Sequence, residues 1–104
     1  GAPHVVFLFL PACFVTEDNT GIREAADLGM YAQTLMLSMT AHGVGSCPQT
    51  ALSFIADRLR KTLDISEDYK LMFGISFGYP DEEHASSRAL TDRAELDALV
   101  RFYS

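Results

Sequence analysis

A long helix that is apolar on almost every side is the feature that most constrains this chain. The segment from Ile22 to His42 has helical spacing, and Gly43 follows where helices commonly end in a left-handed residue. A helix that is apolar nearly all round is normally buried. Because 104 residues are too few to surround it, we expect a second subunit to cover part of its surface. The apolar positions are Leu28, Met30, Tyr31, Ala32, Leu35, Met36, Leu37, Met39 and Ala41.

The composition argues against two classes of partner. The chain is 48% hydrophobic, and 14 acidic residues against 8 lysines and arginines give it a formal net charge of −6. An acidic chain lacks the positive field that binds a phosphate backbone, so we expect no nucleic-acid partner. No apolar run reaches the roughly 18–20 residues of a membrane span, so we expect no membrane partner either. The high apolar content of so short a chain again indicates an oligomer.

The cysteines and histidines indicate neither a redox pair nor a metal site. Cys13 and Cys47 are the only cysteines and form no CxxC motif, which favours two free thiols in a reducing cytosol. A disulfide between them is the alternative. His4, His42 and His84 are widely separated and lack the spacing of metal ligands. We therefore expect a cytoplasmic protein without a metal site.

Two apolar runs predict strands. His4–Pro11 and Lys70–Tyr79 are rich in β-branched and aromatic residues, and such runs suit buried strands that are covered on both faces. A second helix is expected from Thr50 to Leu63, with apolar residues on one face and charged residues on the other. The order strand, helix, loop, helix, strand, tail predicts an α/β fold with few strands, in a single domain over residues 1–104.

The C-terminal tail is ambiguous. Leu96, Leu99 and Val100 have helical spacing, and Asp92 with Glu95 could form a capping box before them. The segment LVRFY could equally form a short strand. Both structures remain open on the residues alone.

The loop GVGSCPQTAL, from Gly43 to Leu52, carries the most chemical information. Its glycines allow the backbone to lie flat against a planar group. The amides of Thr50 and Ala51 begin the second helix, where backbone donors lack partners, so the loop suits an electron-rich heterocycle. The loop lacks the Gly-Lys-Ser/Thr ending of a phosphate-binding Walker loop. The alternative interpretation of its glycines is a helix C-cap followed by a tight turn. No general acid, base or nucleophile stands out, so no catalytic residue is assigned.

Three segments in order resemble the nitroreductase family, which are FMN-dependent NAD(P)H oxidoreductases. They read DLGMYAQTLMLSMTAHGVGSCPQTALSF, KLMFGISFGYPDE and TDRAELDALVRFY. The resemblance covers nearly the whole chain but only the C-terminal half of the family. It implies a truncated nitroreductase-like α+β fold, FMN as cofactor and NAD(P)H as reductant. A small nitro- or quinone-like molecule would be the electron acceptor.

The resemblance also implies a cofactor site. The segment along the isoalloxazine ring would consist of Pro48, Gln49, Thr50 and Ala51, with the backbone amide of Thr50 directed at the nitrogen that accepts the hydride. Arg88 would help to bind the FMN phosphate. Where the family commonly carries a second basic residue this chain has Leu90, and the family's arginine- and serine-rich N-terminal motif does not occur in these 104 residues.

The same resemblance makes the helix matching Asp27–His42 the core of an intertwined homodimer. It also favours a strand over a helix in the tail, pairing with the partner subunit. Two functions are compatible with these features. The first is a nitroreductase-type oxidoreductase. The alternative is a non-catalytic, truncated dimerisation module with weak or no flavin binding, and FMN binding separates the two.

Overall fold

The computed structural model describes residues 1–16, 18, 20–89 and 91–103, so the comparison made at Leu90 lies outside the described residues. The strands are β1 (His4–Pro11), β2 (Gly45–Gln49) and β3 (Tyr69–Gly78). The helices are α1 (Ile22–Ala41), α2 (Ala56–Leu63), α3 (Ala85–Arg88) and α4 (Leu96–Leu99), with 3-10 helices at Ala12–Phe14 and Thr50–Ile55. The expected mixture of helices and strands is confirmed, and the antiparallel sheet makes it α+β.

The strands form one antiparallel sheet in the order β1-β3-β2. The predicted strands β1 and β3 are present, and β3 lies in the centre. Strand β2, with the sequence GSCPQ, was not predicted, so the sheet has three strands and not two. It has no run of apolar residues, and it pairs only because β3 offers an open edge. Pro48 is tolerated there because an edge strand has one side free of ladder bonds.

Helix α1 covers one face of the sheet. Ile75 in β3 is 0% exposed and Ala32 in α1 is 3% exposed, and both belong to one core cluster. The apolar contact between the helix and the strands excludes water from this face of the sheet. The other members of the cluster and its margin are Val6, Leu8, Leu28, Leu35, Met36 and Phe73.

The opposite face of the sheet is covered by the segment that follows β2. A Cβ added at Gly74 would lie 2.6 Å from Leu52 Cδ1, so the 3-10 helix is in close contact with the sheet there. Leu59 of α2 is also buried. The centre of β3 is therefore covered on both faces, as its unbroken apolar run predicted.

The second helix is irregular where a continuous one was predicted. Thr50–Ile55 forms a 3-10 helix, and only Ala56–Leu63 is α-helical. The hydroxyl of Ser53 donates to the carbonyl oxygen of Thr50 at 2.8 Å, three residues back, which suits the tighter winding. Close contact of Leu52 with the sheet also restricts the path of this turn.

The tail forms no strand among the described residues of this single chain, and its expected pairing with a partner subunit stays a prediction. Leu96–Leu99 makes one helical turn, and Val100 is extended (φ −125°, ψ 134°) without a paired strand among residues 91–103. A strand needs a neighbouring backbone to pair with, and this segment pairs with none of the described strands. Phe102 is 79% exposed and Tyr103 is 87% exposed. In the part of the chain that the structure describes, no helix is long and apolar enough to cross a membrane.

Candidate functional site

The end of α1 positions the loop that the sequence singled out. Gly43 has φ 74°, the left-handed conformation expected of it, and its amide donates to the Thr40 carbonyl oxygen at 3.0 Å. The amide of Val44 donates to the Met39 carbonyl oxygen at 2.9 Å. These bonds close the helix and turn the chain directly into β2, so the loop is a strand along the edge of the sheet.

Strand β2 divides its residues between the two faces of the sheet. Pro48 is paired with Ile75, whereas Gln49 is paired with Gly74. Because alternate residues of a strand point to opposite faces, Gln49 lies on the side of Gly74 and away from the α1 core.

A cavity of about 630 Å³ opens at this end of the sheet. Of the five residues that the resemblance assigned to the cofactor, Gln49 is the one that lines it. The other lining groups are mostly small or neutral and polar, and they include Ser46, Cys47, Ser76, Gly78, Tyr79, Asp81, His84, Ser86 and Ser87. Such walls fit a neutral planar ring with hydrogen-bonding edges better than they fit a highly charged ligand.

Thr50 and Ala51 form the first turn of the 3-10 helix, directly after Gln49. Both residues are exposed, and no side chain among the described residues caps this helix end. The first amides of a helix have no partner within the helix, so these donors remain available to a ligand.

Arg88 lies at the end of α3 and does not line the cavity, although its neighbours Ser86 and Ser87 do. Its Nε donates to the Glu82 carbonyl oxygen at 3.0 Å, and its Nη2 lies 2.6 Å from Glu83 Oε2. The Arg88 side chain is 61% exposed. A weakly held guanidinium beside the cavity can exchange its carboxylate partner for a phosphate.

The turn that carries Arg88 has its own cap. His84 Nδ1 accepts a hydrogen bond from the Ser86 amide at 3.3 Å, and it lies 2.7 Å from Ser86 Oγ. The Glu83 amide donates to Asp81 Oδ1 at 3.1 Å. Local side-chain bonds of this kind shape the loop between β3 and α3.

Other chemical groups of the described residues lie away from the cavity or form no cluster. Hydrogen bonds from Thr16, and then from Thr20, lower the pKa of Asp18 to about 2, but Asp18 does not line the cavity. No group of three or more His, Cys, Asp or Glu side chains within the described residues could hold a metal ion. Both cysteines are free thiols.

Ser76 is one of the lining residues that the sequence did not predict, and it is the one that bonds to Gln49. Its hydroxyl donates to Gln49 Oε1 at 2.9 Å across the β2–β3 ladder. Gly74, Ser76 and Gly78 alternate with large apolar residues in β3, so small residues occupy one face of an otherwise apolar strand. That alternation is the signal that could have indicated a cavity.

The family model and the relatives with known functions indicate the same family. The model of the nitroreductase family matches residues 1–79. The nitroreductase NfnB of Mycolicibacterium smegmatis is 52% identical over 102 residues, which are 98% of this chain and 41% of that protein. A 4-nitrobenzoate reductase of Nocardioides sp. is 31% identical over 84 residues, which are 81% of this chain and 34% of that protein.

A solved structure agrees with the fold. The crystal structure of the FMN-dependent nitroreductase NfnB from Mycobacterium smegmatis in complex with NADPH superposes with a TM-score of 0.85 and 50% identity. The match covers 99% of this chain and 43% of that one. The chain thus spans less than half the length of these relatives and corresponds to the C-terminal part of NfnB. With its family model matched over residues 1–79, the chain belongs to the nitroreductase family.

Proposed function

We propose that this chain is part of an oxidoreductase that uses FMN to transfer electrons from NAD(P)H to a nitro- or quinone-like acceptor. One observation carries the proposal: 52% identity over 102 residues with a nitroreductase whose structure is described as FMN-dependent and in complex with NADPH. We also propose that residues 1–104 form one nitroreductase-like unit, corresponding to the C-terminal half of the family's fold.

The residues present fit a flavin in three respects. The amides of Thr50 and Ala51 are uncapped donors beside an edge strand. Gln49 lines a cavity whose walls combine apolar surface with a few neutral polar groups, and Arg88 provides a cation next to that cavity. When bound, FMN would accept a hydride from the nicotinamide and pass the electrons on.

Each residue has a proposed part in binding. Pro48 to Ala51 would lie along the ring system, with the Thr50 amide donating a hydrogen bond to its hydride-accepting nitrogen. Arg88 would leave Glu83 and bind the phosphate through charge-assisted hydrogen bonds.

We further propose a homodimer through the helix segment 27–42, because that helix carries exposed apolar side chains. A cytoplasmic location also belongs to the proposal, and the two free thiols are consistent with it.

Fluorescence titration with FMN tests the function. We expect the purified chain to quench FMN fluorescence saturably, with a Kd in the micromolar range or tighter. The loaded protein should then oxidise NADPH or NADH faster when a nitroaromatic acceptor is added. Absence of saturable FMN binding by the folded chain would mean that residues 1–104 do not form the FMN site by themselves, and it would favour the alternative role in dimerisation alone.

A further inference from the structure

The hydrogen bond between Ser76 and Gln49 fixes more than the register of two strands. Ser76 pairs directly with Cys47, so Ser76 and Gln49 are diagonal neighbours on the same face of the sheet. Ser76 Oγ donates to Gln49 Oε1 at 2.9 Å, and both residues line the cavity. The contact therefore belongs to the wall that a ligand would meet.

The two residues differ in how firmly the fold holds them. Ser76 lies in the central strand β3, and the preceding residue of that strand, Ile75, is 0% exposed. Gln49 is the last residue of the edge strand and is itself exposed. A glutamine side chain has several rotatable bonds, so it loses much conformational freedom when it is ordered. Ser76 supplies a rigid anchor for a side chain that would otherwise be mobile.

The bond also decides which end of the amide is free. A glutamine amide has one oxygen that accepts and one NH₂ group that donates. The Ser76 hydroxyl takes one acceptor position of the oxygen, and in this orientation the NH₂ group makes no hydrogen bond to another described residue. The group left for a ligand is therefore a donor, and its complement is a carbonyl oxygen.

We propose that Ser76 is a positioning residue that orients the Gln49 amide as a donor to a carbonyl oxygen of the flavin's pyrimidine ring. This inference rests on the proposed FMN site and assigns a role to a residue outside the PQTA segment. Gln49 touches the cofactor, whereas Ser76 acts through Gln49. Pre-ordering the donor lowers the entropic cost of binding.

The first measurement needs no cofactor. The ¹⁵N heteronuclear NOE of the Gln49 side-chain amide reports its mobility in the free protein. We expect a rigid amide in the parent chain, a mobile one in Ser76→Ala, and a rigid one in Ser76→Thr, which keeps the hydroxyl. Thr62→Ala is the matched control, since that hydroxyl bonds to the Arg58 carbonyl oxygen within α2. Equal mobility in the parent chain and Ser76→Ala overturns the positioning role.

The second measurement is the Kd for FMN. We expect Ser76→Ala and Gln49→Leu each to raise it about two- to tenfold, the range that one net hydrogen bond produces. Ser76→Thr and Thr62→Ala should stay within about twofold of the parent chain. In the Gln49→Leu background, Ser76→Ala should add nothing, because the residue that it orients is gone.

The outcomes separate this inference from the proposed function. If the parent chain binds FMN and Ser76→Ala binds it equally well, the inference is wrong and the proposed function stands. If the Ser76→Ala loss persists in the Gln49→Leu background, Ser76 does not act through Gln49 and the inference is again wrong. If the parent chain binds no FMN although its Gln49 amide is rigid, the proposed FMN site on residues 1–104 fails, and with it the donor role of Gln49.

Discussion

Arg88 is the residue on which discrimination between phosphorylated and unphosphorylated flavins should depend. A charge-assisted hydrogen bond contributes roughly 1.5–3 kcal/mol, but solvent screens a side chain that is 61% exposed. We therefore expect Arg88→Gln to raise the Kd for FMN by about fivefold and to leave the Kd for riboflavin unchanged. Fluorescence titrations with both flavins provide the measurement.

Arg93→Gln is the matched control for Arg88. It removes the same charge, and the Arg93 guanidinium donates only to Thr91 and to the Asp92 carbonyl oxygen among the described residues. Its effect on FMN binding should be less than about twofold. Equal losses in the two variants would mean that general attraction to the anion, and not a bound guanidinium, explains the result.

Asp18 gives a pH dependence with a defined sign. Hydrogen bonds from Thr16 and then from Thr20 lower its pKa from 3.8 to about 2. A carboxyl group whose pKa is lower in the folded state stabilises the fold above its unfolded pKa, and that contribution is lost as the pH falls from 3.8 through about 2. Thr16→Val should raise the pKa of Asp18 towards 3.8, as measured from its carboxyl ¹³C shift during a pH titration.

Thr62→Val serves as the comparison, because the Thr62 hydroxyl bonds within α2 and not to Asp18. It should leave the Asp18 titration in place. An unchanged Asp18 pKa in Thr16→Val would show that the Thr16 hydroxyl is not the main cause of the shift.

Two glycines, one inside helix α1 and one just after it, carry opposite expectations. Gly43 follows the helix with φ 74°, and a Cβ there would meet nothing within 4 Å. An alanine at this position would therefore destabilise the fold only through its backbone conformation. Gly29 lies inside the helix, also with nothing within 4 Å of a Cβ. We expect Gly43→Ala to lower the free energy of unfolding by about 1 kcal/mol and Gly29→Ala to raise it by about 0.5–1 kcal/mol.

Urea unfolding at one fixed protein concentration measures both changes. The pair is its own control, since the same methyl group is added at each position. Destabilisation by Gly29→Ala would mean that another surface approaches the helix closely at that position.

Elements whose cause is local were predictable from the sequence. Apolar runs of β-branched and aromatic residues were enough to predict β1 and β3, and Gly43 was enough to predict where α1 ends. Strand β2 was missed because GSCPQ has no pattern of its own and depends on the free edge of β3. The tail strand stays a prediction, because LVRFY was expected to pair with a partner subunit and it pairs with no strand among the described residues of this chain.

The site was predictable to a smaller extent. Gln49 was assigned from a family resemblance, and the cavity that it lines agrees with that assignment without testing it. The small residues around Ser76 could have indicated a cavity, but its contact with Gln49 had no local signal, because Gln49 lies 27 residues away and is brought near by the strand register. Sequence patterns describe neighbours along a strand or a helix, whereas this contact depends on tertiary pairing.

At the scale of the whole molecule, the chain is more extended than an independent domain of its length. Its radius of gyration is 16.9 Å, against about 13 Å for a compact domain of roughly 100 residues. Only six hydrophobic residues of the described part are buried. A core of that size stabilises a fold weakly, so much of the stability should come from surface that a second chain covers.

The outward face of α1 is where that cover is expected. Met30 and Leu37 are each 61% exposed, and they lie two helical turns apart on the side opposite the buried Ala32. We expect the chain to sediment as a dimer at micromolar concentration and the double variant Met30→Glu/Leu37→Glu to sediment as a monomer, because two buried carboxylates without partners are strongly unfavourable in an apolar interface.

Leu63→Glu, at a position that is 48% exposed on α2, should stay dimeric and controls for adding charge at an exposed apolar site. Circular dichroism at the same concentrations separates dissociation from unfolding. A monomeric parent chain, or dissociation by Leu63→Glu but not by the double variant, would place the interface elsewhere than on α1.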